Sequence, residues 1–201
     1  MCCGTAVSFV IPMTSYLAGV DEAGRGPLAG PVFAAAVLLD PEQPIDGLRD
    51  SKKLSEMKRK RLRDMIIMKA IGYGIASASV AEIDELNILQ ASLLAMRRAA
   101  QALEDQIGDK VSALCYWVDG NQDPTFNRPT RCLVGGDNLV PAIAAASILA
   151  KTSRDEWMIE AALRFPGYDF ERHKGYPTLK HRQAIALRGP CDIHRRSFSW
   201  K

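Results

Sequence analysis

The stretch YLAGVDEAGRGPLAGPVFAAAVLL, Tyr16 to Leu39, places two apolar runs on either side of a glycine-rich break. Tyr16 to Val20 is short and apolar and runs into two acids, Asp21 and Glu22. After Gly24 to Gly30, the second run, Val32 to Leu39, is rich in Val and Ala. This pattern predicts two strands joined by a turn. The break is no dinucleotide fingerprint. Gly24-Arg25-Gly26 leads through Pro27 to Pro31 into another strand, so no helix N-terminus stands ready for a pyrophosphate.

Downstream, Asp40 to Lys53 carries Pro41, Pro44 and Gly47 and reads as a loop, and Ser55 can cap a helix running to about Lys69. Gly72 to Ala78 alternates like a strand. Ser79-Val80-Ala81-Glu82 is a capping box, and Ile83, Leu86, Leu89, Leu93, Leu94, Met96 and Leu103 supply one helical apolar face up to about Ile107. Ala113 to Val118 and Arg131 to Val134 read as strands stopped by Asp119-Gly120-Asn121 and Gly135-Gly136-Asp137. A long helix is expected from about Asn138 to Arg164, with Pro141 tolerated in its first turn, and a last one from Thr178 to Arg188, closed by Gly189 and Pro190. The order predicts an α/β fold with a mixed five-stranded sheet flanked by helices.

With 201 residues the chain predicts one domain. We divide it into a short disordered lead-in, 1–15, and a catalytic domain, 16–201, whose segment from about 165 onward is a helical extension. No apolar run approaches the roughly 20 residues that span a bilayer, and Met1 to Ser15 lacks the basic region of a secretory signal, so a cytoplasmic protein without a membrane anchor is expected. The five cysteines show no C-x-x-C spacing, and the three histidines show no H-E-x-x-H or H-x-x-x-H pattern, which argues against zinc. The net charge is only +3, but residues 49–69 and 164–201 each carry nine basic and three acidic side chains. Two such blocks around an acidic middle point to a polyanionic partner.

Acids normally decorate surfaces, yet Asp21 and Glu22 end the first strand, Asp119 ends the fourth, and Asp137 precedes the most apolar helix. Strand ends are where α/β sheets build sites, and carboxylates converging there repel unless a cation joins them. All-oxygen ligands select Mg²⁺ or Mn²⁺, and four carboxylates can hold two ions about 3.5–4 Å apart in a phosphodiester-cleaving site. Each acid also has a plainer reading: Asp137 as a helix cap, Asp119 as the start of a turn. Adjacent strand residues face opposite ways, so a break near Gly24 is expected to let Glu22 turn toward the ion shared with Asp21. Gly24-Arg25-Gly26 then offers approachable N–H groups beside a guanidinium, suited to a phosphate or a sugar hydroxyl.

Taken in order, Asp21 to Pro31, Asp50-Ser51-Lys52-Lys53-Leu54, Asp119-Gly120-Asn121, Ala145 to Lys151 and His173-Lys174-Gly175-Tyr176-Pro177-Thr178 resemble the signature segments of bacterial ribonuclease HII from about Tyr16 to Phe198. The resemblance implies a ribonuclease H-like fold, and a monomer is expected. It implies metal-dependent endonucleolytic hydrolysis of RNA in RNA·DNA hybrids and at single ribonucleotides embedded in duplex DNA, leaving 5′-phosphate and 3′-hydroxyl ends. It assigns Asp21, Glu22, Asp119 and Asp137 to the Mn²⁺ or Mg²⁺ ions, Gly24, Arg25 and Gly26 to the ribose 2′-OH, and Tyr176 to the neighbouring deoxyribose. Lys52, Lys53 and Lys174 are candidate phosphate contacts. Two departures stand out. Gly135-Gly136 replaces the Lys-Gly frequent in the family, and the chain stops soon after Arg196-Ser197, which together predict a weaker grip on substrate. Compared with ribonuclease HIII, only about fifteen residues precede the first strand. The rival readings are another two-metal nuclease of the same fold cutting DNA, disfavoured by Gly24-Arg25-Gly26 with Tyr176, and a silent nucleic-acid-binding module, disfavoured by the four acids.

Overall fold

The computed structural model describes residues 16–48, 54–111 and 113–200; the expected lead-in, Lys52 and Lys53 lie outside them. The opening stretch forms two antiparallel strands, β1 (Tyr16–Ala23) and β2 (Val32–Leu38). Helix α1 (Glu56–Lys69) follows, capped by Ser55 as expected, then β3 (Gly72–Ala78) on the outer side of β2. The capping box opens α2 (Val80–Leu86): Glu82 N–H donates to Ser79 Oγ at 3.2 Å, and Ser79 N–H to Glu82 Oε2 at 2.8 Å.

The single helix expected up to Ile107 is broken. Asn87 turns to φ +74°, and its carboxamide oxygen accepts from Leu89 N–H and Gln90 N–H at 3.0 and 3.1 Å, capping a separate α3 (Ile88–Ile107). Its capping oxygen satisfies two N–H groups at the break, which offsets a backbone conformation (φ +74°, ψ 163°) otherwise taken by glycine. β4 (Leu114–Asp119) and β5 (Thr130–Leu133) complete a sheet of order β3-β2-β1-β4-β5, in which β1 pairs parallel with β4 and β4 with β5. The long helix also starts later than expected. A single turn, α4 (Gly136–Leu139), comes first, Val140 is extended, and Pro141 opens α5 (Pro141–Arg164) at its first position. The ring of Pro141 disfavours helical geometry at Val140, and its missing N–H costs nothing at a helix start. Two short helices, α6 (Phe170–His173) and α7 (Leu179–Arg188), follow.

Alternation along the central strands sorts their side chains onto two faces. Ala34 and Ala36 join the α3 side with Ala95, Met96, Ala99 and Leu103, while Ala35 and Val37 join Ala144, Ile148 and Leu149 of α5 and Leu62 and Ile66 of α1. Alanine favours helices, yet here three in a row form a strand because both faces must stay thin. Two glycines mark the closest approach. A methyl on Gly19 would sit 2.1 Å from the Ala142 carbonyl carbon on α5, and one on Gly74 would sit 2.0 Å from the Ala99 oxygen on α3. No helix among the described residues is long and apolar enough to cross a membrane.

The C-terminal part packs a third cluster, Phe170, Tyr168, Ile185 and Ile193, against Leu28, Ala29 and the far half of α5. All three histidines meet here. His181 Nδ1–H donates to the Tyr176 carbonyl at 2.9 Å. Its Nε2 therefore accepts from His194 Nε2–H at 3.1 Å, and His194 Nδ1 accepts from Cys191 N–H at 2.9 Å. His173 Nε2–H donates to the Tyr168 carbonyl at 2.6 Å, and its Nδ1 accepts from Gly175 N–H at 3.1 Å. Both ring nitrogens of His173 and His181 are bonded in neutral tautomers, and His194 Nδ1 lies against the N–H, carbonyl and Sγ of Cys191. Burial accordingly pushes all three below the usual histidine value, His181 to about 4. In an NMR titration the His181 ring is expected to stay silent from pH 7.5 down to about 5; a midpoint near 6.5 would contradict the arrangement. The sign of the linkage follows. The unfolded chain binds this proton near pH 6.5 and the folded one only near pH 4, so the His181 contribution to stability is whole above 6.5 and drains away as pH falls through that window.

Candidate active site

Parallel pairing sets the site. Val20 lies opposite Val118, so one step further along both strands Asp21 and Asp119 arrive side by side at the open end of the sheet. Asp21 is 5% exposed and lies on the α5 side, where the Ser147 hydroxyl is a hydrogen-bond partner; its Oδ1 accepts from Glu22 N–H at 2.8 Å. Glu22 keeps its strand geometry, paired with Ala34, and lines a recess on the α3 side with Ser92, Leu93, Met96 and Asp119. The expected break near Gly24 falls there, since β1 ends at Ala23, but Glu22 stays within the strand rather than turning. Both acids still reach one space because the sheet itself ends there.

That space is a cavity of about 480 Å³ with an acidic floor and a mixed wall. Asp21, Glu22 and Asp119 form the floor; Arg25, Arg59, Lys151 and Tyr176 stand around it, and Gly24 and Gly26 form part of the rim. Burial first, then the charges of Glu22 and Asp119, hold the Asp21 carboxyl well above the usual carboxylate range. Burial raises Glu22 as well, opposed by Arg25, whose Nη1 lies 3.2 Å from Glu22 Oε1. Asp119 Oδ1 accepts from Gly136 N–H at 2.7 Å, which ties the end of β4 to the start of α4.

The donor set fits a hard divalent cation: three carboxylates at one end of the sheet, two of them destabilised as anions by burial and by each other. Among the described residues no group of three or more His, Cys, Asp or Glu side chains is gathered closely enough to hold a metal ion by itself. Asp21 and Asp119 each give one oxygen to a backbone N–H, which leaves an open half-site of the kind that water and substrate phosphates complete.

The sequence-predicted residues Asp21, Glu22, Asp119, Gly24, Arg25, Gly26 and Tyr176 meet in this cavity. Asp137 is not among the residues lining it. It is 1% exposed beside Gly136, with Asn138 Nδ2 donating to its Oδ1 at 2.9 Å, and it sits inside α4 rather than capping a helix. Lys174 also lies off the cavity wall, its ammonium donating to the Glu171 carbonyl. Gly135, at φ +70°, opens onto free space, so basic character in the cavity comes from Arg25, Arg59 and Lys151.

Sequence reading missed Arg59, Ser147 and Lys151. The four-residue step from Ser147 to Lys151 to Asp155 is a polar stripe on an otherwise alanine-rich helix, and that stripe was the available signal. It also missed Arg154, whose Nε and Nη2 donate to the Pro31 and Ala29 carbonyls at 3.1 Å each, and whose guanidinium carbon lies 5.9 Å from the centre of the Tyr176 ring. Burial pushes Arg154 down to about 10, so it remains a cation at neutral pH.

The two loop glycines do different work. Gly24 has φ +106°, and a methyl on it would meet Arg154 Nε at 2.2 Å, whereas a methyl on Gly26 would only touch Tyr176 Cε1 at 3.9 Å. Gly24→Ala should therefore lose stability, by about 1–3 kcal/mol in a urea titration. Gly26→Ala should melt normally and instead weaken substrate binding, because its methyl takes up room between the loop and the tyrosine. Equal melting losses in both variants would contradict this division.

A family model described as ribonuclease HII matches residues 18–201. Ribonuclease HII of Burkholderia lata is 54% identical over 181 residues, covering 90% of this chain and 82% of the relative. That of Verminephrobacter eiseniae is 56% identical over 186 residues, covering 92% and 86%. Among solved structures, the RNase HII of the PCNA:RNase HII complex from Archaeoglobus fulgidus superposes with a TM-score of 0.72 at 23% identity, over 92% of this chain and 95% of that one. Bst-RNase HIII in complex with Mn²⁺ gives a TM-score of 0.68 at 19% identity, over 87% and 63%. At these identities the two structures speak for the fold alone.

Proposed function

This chain belongs to the ribonuclease HII family and is a ribonuclease H, an endonuclease acting on the RNA of RNA·DNA hybrids, and from that premise we propose how its own residues do the work. Beyond hybrid cleavage, the enzyme incises duplex DNA on the 5′ side of a single embedded ribonucleotide, which serves ribonucleotide excision repair and primer removal. The supporting observation is one cavity in which Asp21, Glu22 and Asp119 meet the Gly24–Gly26 loop and Tyr176. Carboxylates without the loop would fit any nuclease of this fold. The loop with the tyrosine adds a test for ribose.

Asp21, Glu22 and Asp119, joined by Asp137 from α4, would hold Mg²⁺ or Mn²⁺, two ions during catalysis, which would activate water and neutralise charge on the phosphate and the leaving 3′-oxygen. Asp21 and Asp119 are fixed by backbone N–H groups and Glu22 by Arg25, so their free oxygens are already oriented. Arg59 and Lys151 present positive charge on the α1 and α5 side of the cavity, where the strand backbone would enter; Lys174, and Lys52 and Lys53 outside the described residues, are further proposed phosphate contacts. Backbone N–H groups of the Gly24–Gly26 loop donate to the 2′-OH, and Tyr176, 41% exposed, packs on the following sugar, where another hydroxyl would clash. We place the enzyme in the cytoplasm, as a monomer.

Cleavage of a labelled DNA duplex containing one ribonucleotide, with Mg²⁺ and Mn²⁺ assayed separately, tests the reading. Incision at the ribonucleotide is expected, with negligible cutting of the same duplex in all-DNA form. Equal cutting of both would replace the reading with a DNA nuclease of the same fold.

A further inference from the structure

The C-terminal segment that follows α7 lies against the glycine-rich loop. Gly30 N–H donates to the Ile193 carbonyl at 2.8 Å, Ala29 bridges His194, and Arg195 N–H donates to the Leu28 carbonyl at 2.9 Å. Between these contacts Arg195 inserts a side chain with no solvent exposure into the back of the loop. Its Nε donates to the Gly30 carbonyl at 2.9 Å, Nη1 to the Arg25 carbonyl at 3.0 Å and Nη2 to the Gly24 carbonyl at 2.6 Å. Among the described residues no carboxylate lies within ion-pair distance of it; the Asp84 charge acts from further off, and three loop carbonyls hold the guanidinium directly. Taking a guanidinium out of water is costly unless such charge-assisted bonds replace the lost hydration.

We infer that Arg195 is a positioning residue for ribose recognition, one that turns the peptide units after Gly24 and Arg25 so that the N–H groups of Arg25 and Gly26 face the cavity. The geometry is that of the trans peptide, in which C=O and N–H point in opposite directions, and the described residues contain no cis bond. With the Gly24 and Arg25 carbonyls drawn inward to Arg195, the N–H groups of Arg25 and Gly26 point outward, on the side where all three loop residues line the cavity. Among the described residues neither N–H has a protein acceptor, so both are open to a ligand oxygen. Arg195 lies too deep to touch substrate. It acts through the loop, and its cation polarises the two peptide groups and strengthens their outward donors.

The inference rests on the ribonuclease reading, and the experiment separates the two. Two fluorescein-labelled duplexes, alike except for one ribonucleotide or its deoxy counterpart, are titrated in Ca²⁺ to compare binding and then cleaved in Mg²⁺. Wild-type protein should prefer the ribonucleotide duplex; failure there removes the functional reading itself. Arg195→Lys, compared at equal folded fraction, should keep its affinity for the all-DNA duplex and lose about tenfold or more of the preference, since losing one or two oriented donors is worth about that much. A residue that only stabilised the fold would lower the melting temperature and leave the preference intact. Should Arg195→Lys not fold, Asp84→Ala decides. Half-buried Asp84 accepts from Arg196 N–H and Ser197 N–H at 2.9 Å each and from Ser197 Oγ at 2.6 Å, clamping the same segment from α2. Its loss should reduce the preference in the same direction by a smaller factor. Full preference in whichever variant folds overturns the inference.

Discussion

Asp21→Asn is expected to lose about three orders of magnitude or more in cleavage rate while making the ion-free protein more stable at neutral pH. The first half follows from its place on the cavity floor, where removing one charged group that supports the transition state typically costs on the order of 10²–10³ in rate, and more where several groups act as a unit. The second half follows from the electrostatics of the empty cluster. Burial and the charges of Glu22 and Asp119 raise the Asp21 carboxyl well above its ordinary value, so the folded protein holds that proton more tightly than the unfolded chain does. Stability is therefore lost as pH rises from the unfolded value through the folded one, and at neutral pH the ionised Asp21 opposes folding. Asparagine keeps the shape and the acceptor for Glu22 N–H but removes the charge. For a chain of this length each kcal/mol recovered raises the melting temperature by about 2–4 °C. Added Mg²⁺ should raise the wild-type melting temperature more than that of the variant, because the ion binds the folded cluster and screens its repulsion. A variant that cuts normally, or that melts below wild type without metal, would contradict this account of the floor.

The floor was legible in the sequence because it is built by local rules. Acids at the ends of apolar strands and a glycine break after Glu22 are read locally, while the parallel β1–β4 pair that brings Asp21 and Asp119 together is seen only in the fold. The capping motifs at Ser55 and Ser79 likewise act over three residues, and both helix starts fell where those motifs put them. What was hidden depends on distance or on ambiguity. Leu86-Asn87-Ile88 carries no glycine or proline, and the apolar spacing runs straight through it, so nothing in the pattern separates α2 from α3. Pro141 suits the first turn of a helix beginning at Asn138 as well as the first position of one beginning at Pro141. Arg154 and Arg195 read as surface residues, since arginine is seldom fully buried, and their carbonyl partners lie more than a hundred residues away in the chain. The acids proposed to hold metal are thus legible at their own strand ends, whereas the scaffold behind the loop proposed to read ribose is written in contacts that only the folded chain makes.

Replacing the single ribose of an otherwise DNA duplex by deoxyribose is expected to lower cleavage about 10⁴-fold, the range reached when a site built to hydrogen-bond a hydroxyl meets a substrate without one. The cut itself should fall on the 5′ side of the ribonucleotide, leaving a 3′-hydroxyl on one fragment and a 5′-phosphate on the fragment that begins with the ribonucleotide. Product ends report the nucleophile: water attacking in line expels the 3′-oxygen, whereas attack by the ribose 2′-OH would cut on its 3′ side and leave a 2′,3′-cyclic phosphate. The register depends on two fixed elements, the Gly24–Gly26 loop and the ring of Tyr176. Arg154 joins them, because it lies against Gly24, binds the Ala29 and Pro31 carbonyls and stands over the tyrosine ring, while His181 holds the Tyr176 carbonyl. Tyr176→Ala removes the ring and leaves this scaffold in place, so the variant should fold normally. Removing a buried aromatic face from the sugar it covers costs about 1.5–3 kcal/mol, which sets the expected loss on a lone ribonucleotide at roughly 10- to 150-fold. A continuous hybrid carries a hydroxyl on every RNA sugar, including the one beside the tyrosine, so its cleavage should fall less. Sequencing both fragment ends for wild type and Tyr176→Ala checks register and magnitude together. Cyclic phosphate ends would refute water as the nucleophile, and an equal loss on both substrates would remove the tyrosine from the reading of the junction.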